Sequence, residues 1–60
     1  MLEIGKVYLF VAGKSNRTLE AVLEHVSENK YTVSWQGSNG VWYDEVLTKN
    51  VWKVYQEVTA

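Results

Sequence analysis

Thr18–Val46, TLEAVLEHVSENKYTVSWQGSNGVWYDEV, decides how this chain folds. At its centre, Tyr31–Trp35 alternates: Tyr31, Val33 and Trp35 fall on one face, and Lys30, Thr32 and Ser34 on the other. Tyr, Thr, Val and Trp suit a pleated, half-buried surface. Turn signals bracket this segment, with Ser27-Glu28-Asn29-Lys30 before it and Gln36-Gly37-Ser38-Asn39-Gly40 after it. Asn and Gly tolerate the positive φ angles that tight hairpins require. Val41–Val46 follows, with Val41, Tyr43 and Glu45 set against Trp42, Asp44 and Val46. Tyr31–Trp35 is therefore expected as the central strand of a three-strand antiparallel meander.

The first member of that meander reads two ways. Leu19, Val22, Leu23 and Val26 stand at i, i+3, i+4 and i+7, a helical stripe. Thr18 would cap such a helix, and Glu20, Glu24 and Glu28 would line its wet face. As a strand, Leu19, Ala21 and Leu23 face inward, and Glu20, Val22 and Glu24 outward. A helix of about ten residues is short to stand alone. It would also need a right-handed crossover and would leave a small open sheet with exposed edges. A closed barrel removes most of those edges, so the strand is favoured. The alternative is an α+β arrangement, β-α-β-β-β, with a helix at 18–27.

Outward from the meander, Val7–Ala12 is apolar on both faces, as a strand curling through a barrel would be. Gly13–Arg17 is a polar loop. Thr48-Lys49-Asn50 reads as a turn, with room for one 3₁₀ turn. Val51–Val58 is the last strand, with Trp52, Val54 and Val58 on one side. No proline interrupts these segments. The expected fold is all-β, five short strands in a single domain over residues 1–60.

A chain of 60 residues buries only about 60% of its unfolded surface, so stability is modest. It has no cysteine and therefore no disulfide and no thiolate ligand, which suits a reducing cytoplasmic setting, or a nuclear one in a eukaryote. No apolar run approaches the roughly 20 residues of a bilayer span, and the first residues lack a signal-peptide pattern. Three Trp, four Tyr and one Phe exceed what a core this small usually needs. A net charge of −1 argues against strong non-specific nucleic-acid binding.

The order Val7-Tyr8-Leu9-Phe10, Leu19-Glu20-Ala21-Val22-Leu23, Tyr31-Thr32-Val33-Ser34-Trp35-Gln36-Gly37, Trp42, and Val51-Trp52-Lys53-Val54-Tyr55 resembles an SH3-like barrel of the chromo-barrel and Tudor type. The likeness spans residues 4 to 55. It implies a domain that binds rather than catalyses, many of its kind holding a methylated lysine or arginine in an aromatic cage. Trp35 and Trp42 match two of the cage positions. The other two fall at Ser38 or Asn39 and at Leu19, which are not aromatic. The resemblance therefore supports peptide binding more than a complete cage.

The residues give enzymatic chemistry little support. The single His, His25, and its neighbour Glu24 would sit on opposite faces of a strand. Alternation likewise separates Asp44 from Glu45, so they cannot share a proton or a metal. There is no metal-ligand cluster and no Gly-rich phosphate loop, and no cofactor is expected. Phe10 and Trp52 are natural core fillers. Trp35, Trp42 and Tyr43, with Tyr8 or Tyr55, form the candidate binding platform, and Asp44 stands beside Trp42 to pair with a cation. Lys14 and Arg17 in the first loop, with Lys30, are candidate contacts for an anion or nucleic acid. The expected function is a non-catalytic module that binds a protein or peptide near the Gly37–Gly40 turn. A nucleic-acid-binding module, or a small viral or accessory protein that modulates a larger complex, are the alternatives. No membrane partner is expected.

Overall fold

Alternation in the sequence becomes five antiparallel strands in the computed structural model, which describes residues 2–59. Met1 and Ala60, the ends of the domain read over 1–60, lie outside the described residues. The strands are β1 (Val7–Ala12), β2 (Arg17–Val26), β3 (Lys30–Gln36), β4 (Trp42–Thr48) and β5 (Trp52–Glu57). They form one sheet in the order β4-β3-β2-β1-β5. None of the described residues is helical, and no helix is long and apolar enough to cross a membrane.

The helix alternative at 18–27 fails for a specific reason. The first half of β2 pairs with β1, from Ala12↔Arg17 to Val7↔Val22, and its second half pairs with β3, from Val22↔Ser34 to Val26↔Tyr31. Between Leu23 and His25 the register slips by a β-bulge at Glu24. The bulge changes which face the following residues present. Inward positions therefore run Leu19, Ala21, Leu23 and then Val26. Ala21 and Leu23 are buried, and Leu19 and Val26 pack against the core. One extra residue thus makes a strand pattern look helical.

The sheet curls on itself. Phe10 of β1 is fully buried and its ring meets Tyr31 of β3 at 5.4 Å, while Leu47 of β4 and Trp52 of β5 join the same cluster. This is the packing of a small SH3-like barrel. The curl does not close the ladder, because β4 and β5 remain the two edges of the sheet. The expected removal of edges by barrel closure is corrected here: the β4–β5 seam is filled by side chains, not by backbone pairing.

The lead-in is clasped to β2 by two backbone hydrogen bonds, Gly5 N–H to Leu23 O at 2.7 Å and Leu23 N–H to Lys6 O at 2.9 Å. Thr48 O accepts from Val51 N–H at 3.1 Å, closing the turn that leads into β5.

Candidate binding surfaces

The β3–β4 hairpin places most of the candidate residues. Its turn is closed by Gly40 N–H donating to Gly37 O at 2.9 Å. Gly40 has φ +83°, a conformation that L side chains rarely adopt. Gly37 lies under the Tyr43 ring, where a Cβ would stand 2.9 Å from Tyr43 Cε2. The Asn39 side chain braces both, with Oδ1 accepting from Val41 N–H at 3.0 Å and Nδ2 donating to the Tyr43 hydroxyl at 3.3 Å.

The register fixes which side chains meet. Trp35 pairs with Tyr43, Gln36 with Trp42, and Ser34 with Asp44. Side chains of directly opposed residues share a face, and successive residues alternate. Trp35, Tyr43 and Glu45 therefore lie on the core side, at the mouth of the barrel. The rings of Trp35 and Tyr43 stack with centroids 4.9 Å apart, and the Trp35 indole N–H donates to Glu45 Oε1 at 3.1 Å.

Trp42 and Asp44 point the other way, onto the outer face. There an open groove of about 420 Å³ is lined by Val22, Glu24, Ser34, Trp42 and Asp44. A second depression adjoins it and adds Val7, Glu20, Ala21, Trp35 and Gln36. Trp42 is 57% exposed. Ser34 is buried beneath it and donates its hydroxyl to Glu24 Oε2 at 3.1 Å. The ion pairs among the described residues are both made by Lys6, to Glu3 and to Glu57. Glu20, Glu24 and Asp44 thus surround an exposed Trp, and among the described residues no cation is paired to them.

Two expectations are corrected by this geometry. Trp35 and Trp42 both border the second depression, but the register sets their side chains on opposite faces of the hairpin, so they do not stand as facing walls of one cage. Tyr8 is no surface residue: it is 4% exposed, edges against Phe10 at 6.4 Å, and its hydroxyl accepts from Glu3 N–H at 2.8 Å. Tyr55 is 70% exposed but lies on β5, the far edge of the sheet from β4. Asp44 and Glu45 do take opposite faces, as alternation requires. His25 is exposed and paired in the ladder with Thr32. Among the described residues, no three His, Cys, Asp or Glu side chains converge as a metal site would need.

The cations gather elsewhere, around the 49–51 turn. The Arg17 guanidinium lies 5.5 Å from the centre of the Trp52 ring, and the Lys49 ammonium 5.1 Å from that of Tyr31. Lys53 Nζ donates to Lys49 O at 3.1 Å, and Lys49 N–H to Asn29 O at 2.8 Å, next to Lys30. Lys14 sits in the β1–β2 turn, one turn away from Arg17. Sequence reasoning named Lys14, Arg17 and Lys30 but missed Lys49 and Lys53, and it missed Glu20 and Glu24 as groove walls. The spacing Lys49-x-x-Trp52-Lys53 was the available signal for the first pair. Alternation already sets Glu20 and Glu24 outward on a strand, but only the register across β3 brings them beside Trp42.

Comparison with protein-family models, with curated proteins and with solved structures found no match to this chain.

Proposed function

We propose that this chain is a non-catalytic interaction module of the chromo-barrel and Tudor kind, and that it binds a basic segment of a protein partner in the Trp42 groove. One observation carries the proposal: Trp42, 57% exposed, stands among Glu20, Glu24 and Asp44, none of which is paired with a cation among the described residues. A solvated Trp face attracts a cationic side chain by about 0.5–2 kcal/mol, and the carboxylates supply complementary charge. One aromatic wall with acidic neighbours suits an ordinary Lys or Arg. A full methyl-ammonium cage would need further walls, and Trp35 is turned away from this face. The absence of cysteine suits work in a reducing compartment, the cytoplasm or a eukaryotic nucleus.

The test is a fluorescence titration with a lysine-rich octapeptide and, as a control, its glutamate counterpart. The expected result is saturable binding of the first alone, lost in Trp42→Ala. Equal binding of both peptides, or none by either, would sink the proposal.

A second reading has its own observation. Arg17, Lys30, Lys49 and Lys53, four of the six cations, lie on the strands and turn around residues 49–51, apart from Glu20, Glu24 and Asp44. Such a pole suits a phosphate backbone. Anisotropy of a labelled single-stranded oligonucleotide at two salt concentrations tests it. Binding that weakens steeply with salt supports nucleic acid, and the absence of binding at low salt removes it.

A further inference from the structure

Antiparallel pairs alternate between residues that exchange backbone hydrogen bonds and residues that do not. In the β3–β4 ladder the phase is set at both ends, by Gly37 N–H to Val41 O and by Lys49 N–H to Asn29 O, each 2.8 Å. Counting inward along the register, Tyr43, Glu45 and Leu47 bond to β3. Trp42, Asp44 and Val46 therefore turn their N–H and C=O groups away from β3, toward the open edge. Among the described residues, no other backbone segment bonds to them. The same three residues carry their side chains on the groove face, where Trp42 and Val46 are 57% and 55% exposed.

The two edges of this sheet are not alike. β5 carries a register slip against Leu9 and Phe10, and Lys53 stands on it. A bulge and a lysine are both devices that blunt an edge against pairing. β4 has no bulge, no lysine and no proline. What it has is Asp44 and Glu45. In the antiparallel registers that overlap most of two β4 strands, Glu45 opposes Glu45 of the second copy, Asp44 opposes Asp44, or Val46 opposes Val46. Like charges directly opposite are destabilising. Two of these three registers oppose like charges, whereas a basic strand complements Asp44 in the register that places a cation opposite it.

We infer that the partner's basic segment binds as an added β-strand on the β4 edge, hydrogen-bonded to the backbone of Trp42, Asp44 and Val46. This rests on the role proposed above for the groove: the added strand lies beside β4, and its side chains on that face reach the groove past Trp42 and Asp44. Main-chain bonds supply affinity, and alternate side chains supply specificity. A residue opposite Asp44 projects onto the groove face, and residues two positions away fall beside Trp42 and Val46. The recognised sequence is therefore extended, with a cation at the Asp44 position and no proline at the groove-facing positions, whose N–H groups point at β4.

The experiment uses an acetylated, amidated octapeptide of alternating threonine and lysine, and two derivatives. With lysines on the groove face, the lysine amides point toward β4 and the threonine amides away. The expected result is that N-methylation at the lysines weakens binding at least about tenfold, while N-methylation at the threonines leaves it nearly unchanged. Equal affinities for the two derivatives would overturn strand addition and leave side-chain docking in the groove intact. No binding of the unmethylated peptide at millimolar concentration would overturn both. Concentration-dependent protection of the Asp44 and Val46 amides in the peptide-free protein would assign the edge to a second copy and overturn the inference. Val46→Pro adds a check from the protein side. It removes an edge donor that β3 does not use, so it is expected to abolish peptide binding and retain the hairpin's other shifts.

Discussion

The Trp35 indole N–H donates to the Glu45 carboxylate at 3.1 Å, across the hairpin and on the face opposite Trp42. Both residues are half-buried, and Trp35 also stacks on Tyr43. A hydrogen bond to a charged acceptor contributes about 1.5–3 kcal/mol. Trp35→Phe should therefore lower stability by about that amount and leave affinity for a basic peptide nearly unchanged. Chemical denaturation and a peptide titration on the same variant check it. A large loss of affinity in a folded protein would place Trp35 in the binding surface.

Trp42 should behave in the opposite way. The residue is more than half exposed and is not part of the buried cluster, so truncating it takes little from the core. A truncated anchor at an interface typically costs about 2 kcal/mol or more of binding. Trp42→Ala should weaken peptide binding at least about tenfold with the melting temperature almost unmoved. If fold and binding fell together, the ring would be structural.

Trp52 is the large side chain of the closing strand, 7% exposed and clustered with Phe10 and Ala12. Trp52→Ala is expected to cost about 3–5 kcal/mol, a large share of the stability of a domain this small. Arg17→Ala, which only uncovers the ring, should cost less than about 1 kcal/mol. Thermal unfolding of the two variants separates them. A Trp52→Ala protein with the parent's melting point would refute the packing.

The hairpin turn offers a graded pair. Gly40→Ala must adopt a positive φ and should cost about 1 kcal/mol. Gly37→Ala must in addition move the Tyr43 ring, since its Cβ would lie 2.9 Å from it. The expected order of melting temperatures is parent, then Gly40→Ala, then Gly37→Ala. The reverse order would show that Tyr43 yields at little cost.

How much of this was legible beforehand varies by residue. The hairpin turns and the central strand follow from local chemistry, because Gly37, Asn39 and Gly40 suit a tight turn and Tyr31–Trp35 alternates without interruption. The strand nature of Leu19–Val26 was harder to read, since the bulge at Glu24 shifts the inward set and imitates a helical stripe. Trp35 and Trp42 share a cage only in what the family resemblance implies. Only the register shows that their faces differ, and register depends on the exact number of turn residues. Tyr8 resisted reading for another reason: β1 is apolar on both faces, so alternation alone does not say which face is covered. The clustering of Arg17, Lys49 and Lys53 depends on β5 returning beside β1, which no local pattern records.

The strand order also has a kinetic consequence. β1–β2, β2–β3 and β3–β4 are hairpins that close over short turns, whereas β1 meets β5 only after most of the chain has been traversed. Closing a long loop costs more entropy than closing a turn, so the meander can form early and β5 must arrive late. Until it does, Phe10 and Ala12 lack the indole that covers them. Contacts absent from the transition state act mainly on the unfolding rate. A mild change such as Trp52→Phe should then appear in the unfolding limb of the chevron, and the lifetime of the folded molecule is set by how tightly its last strand holds.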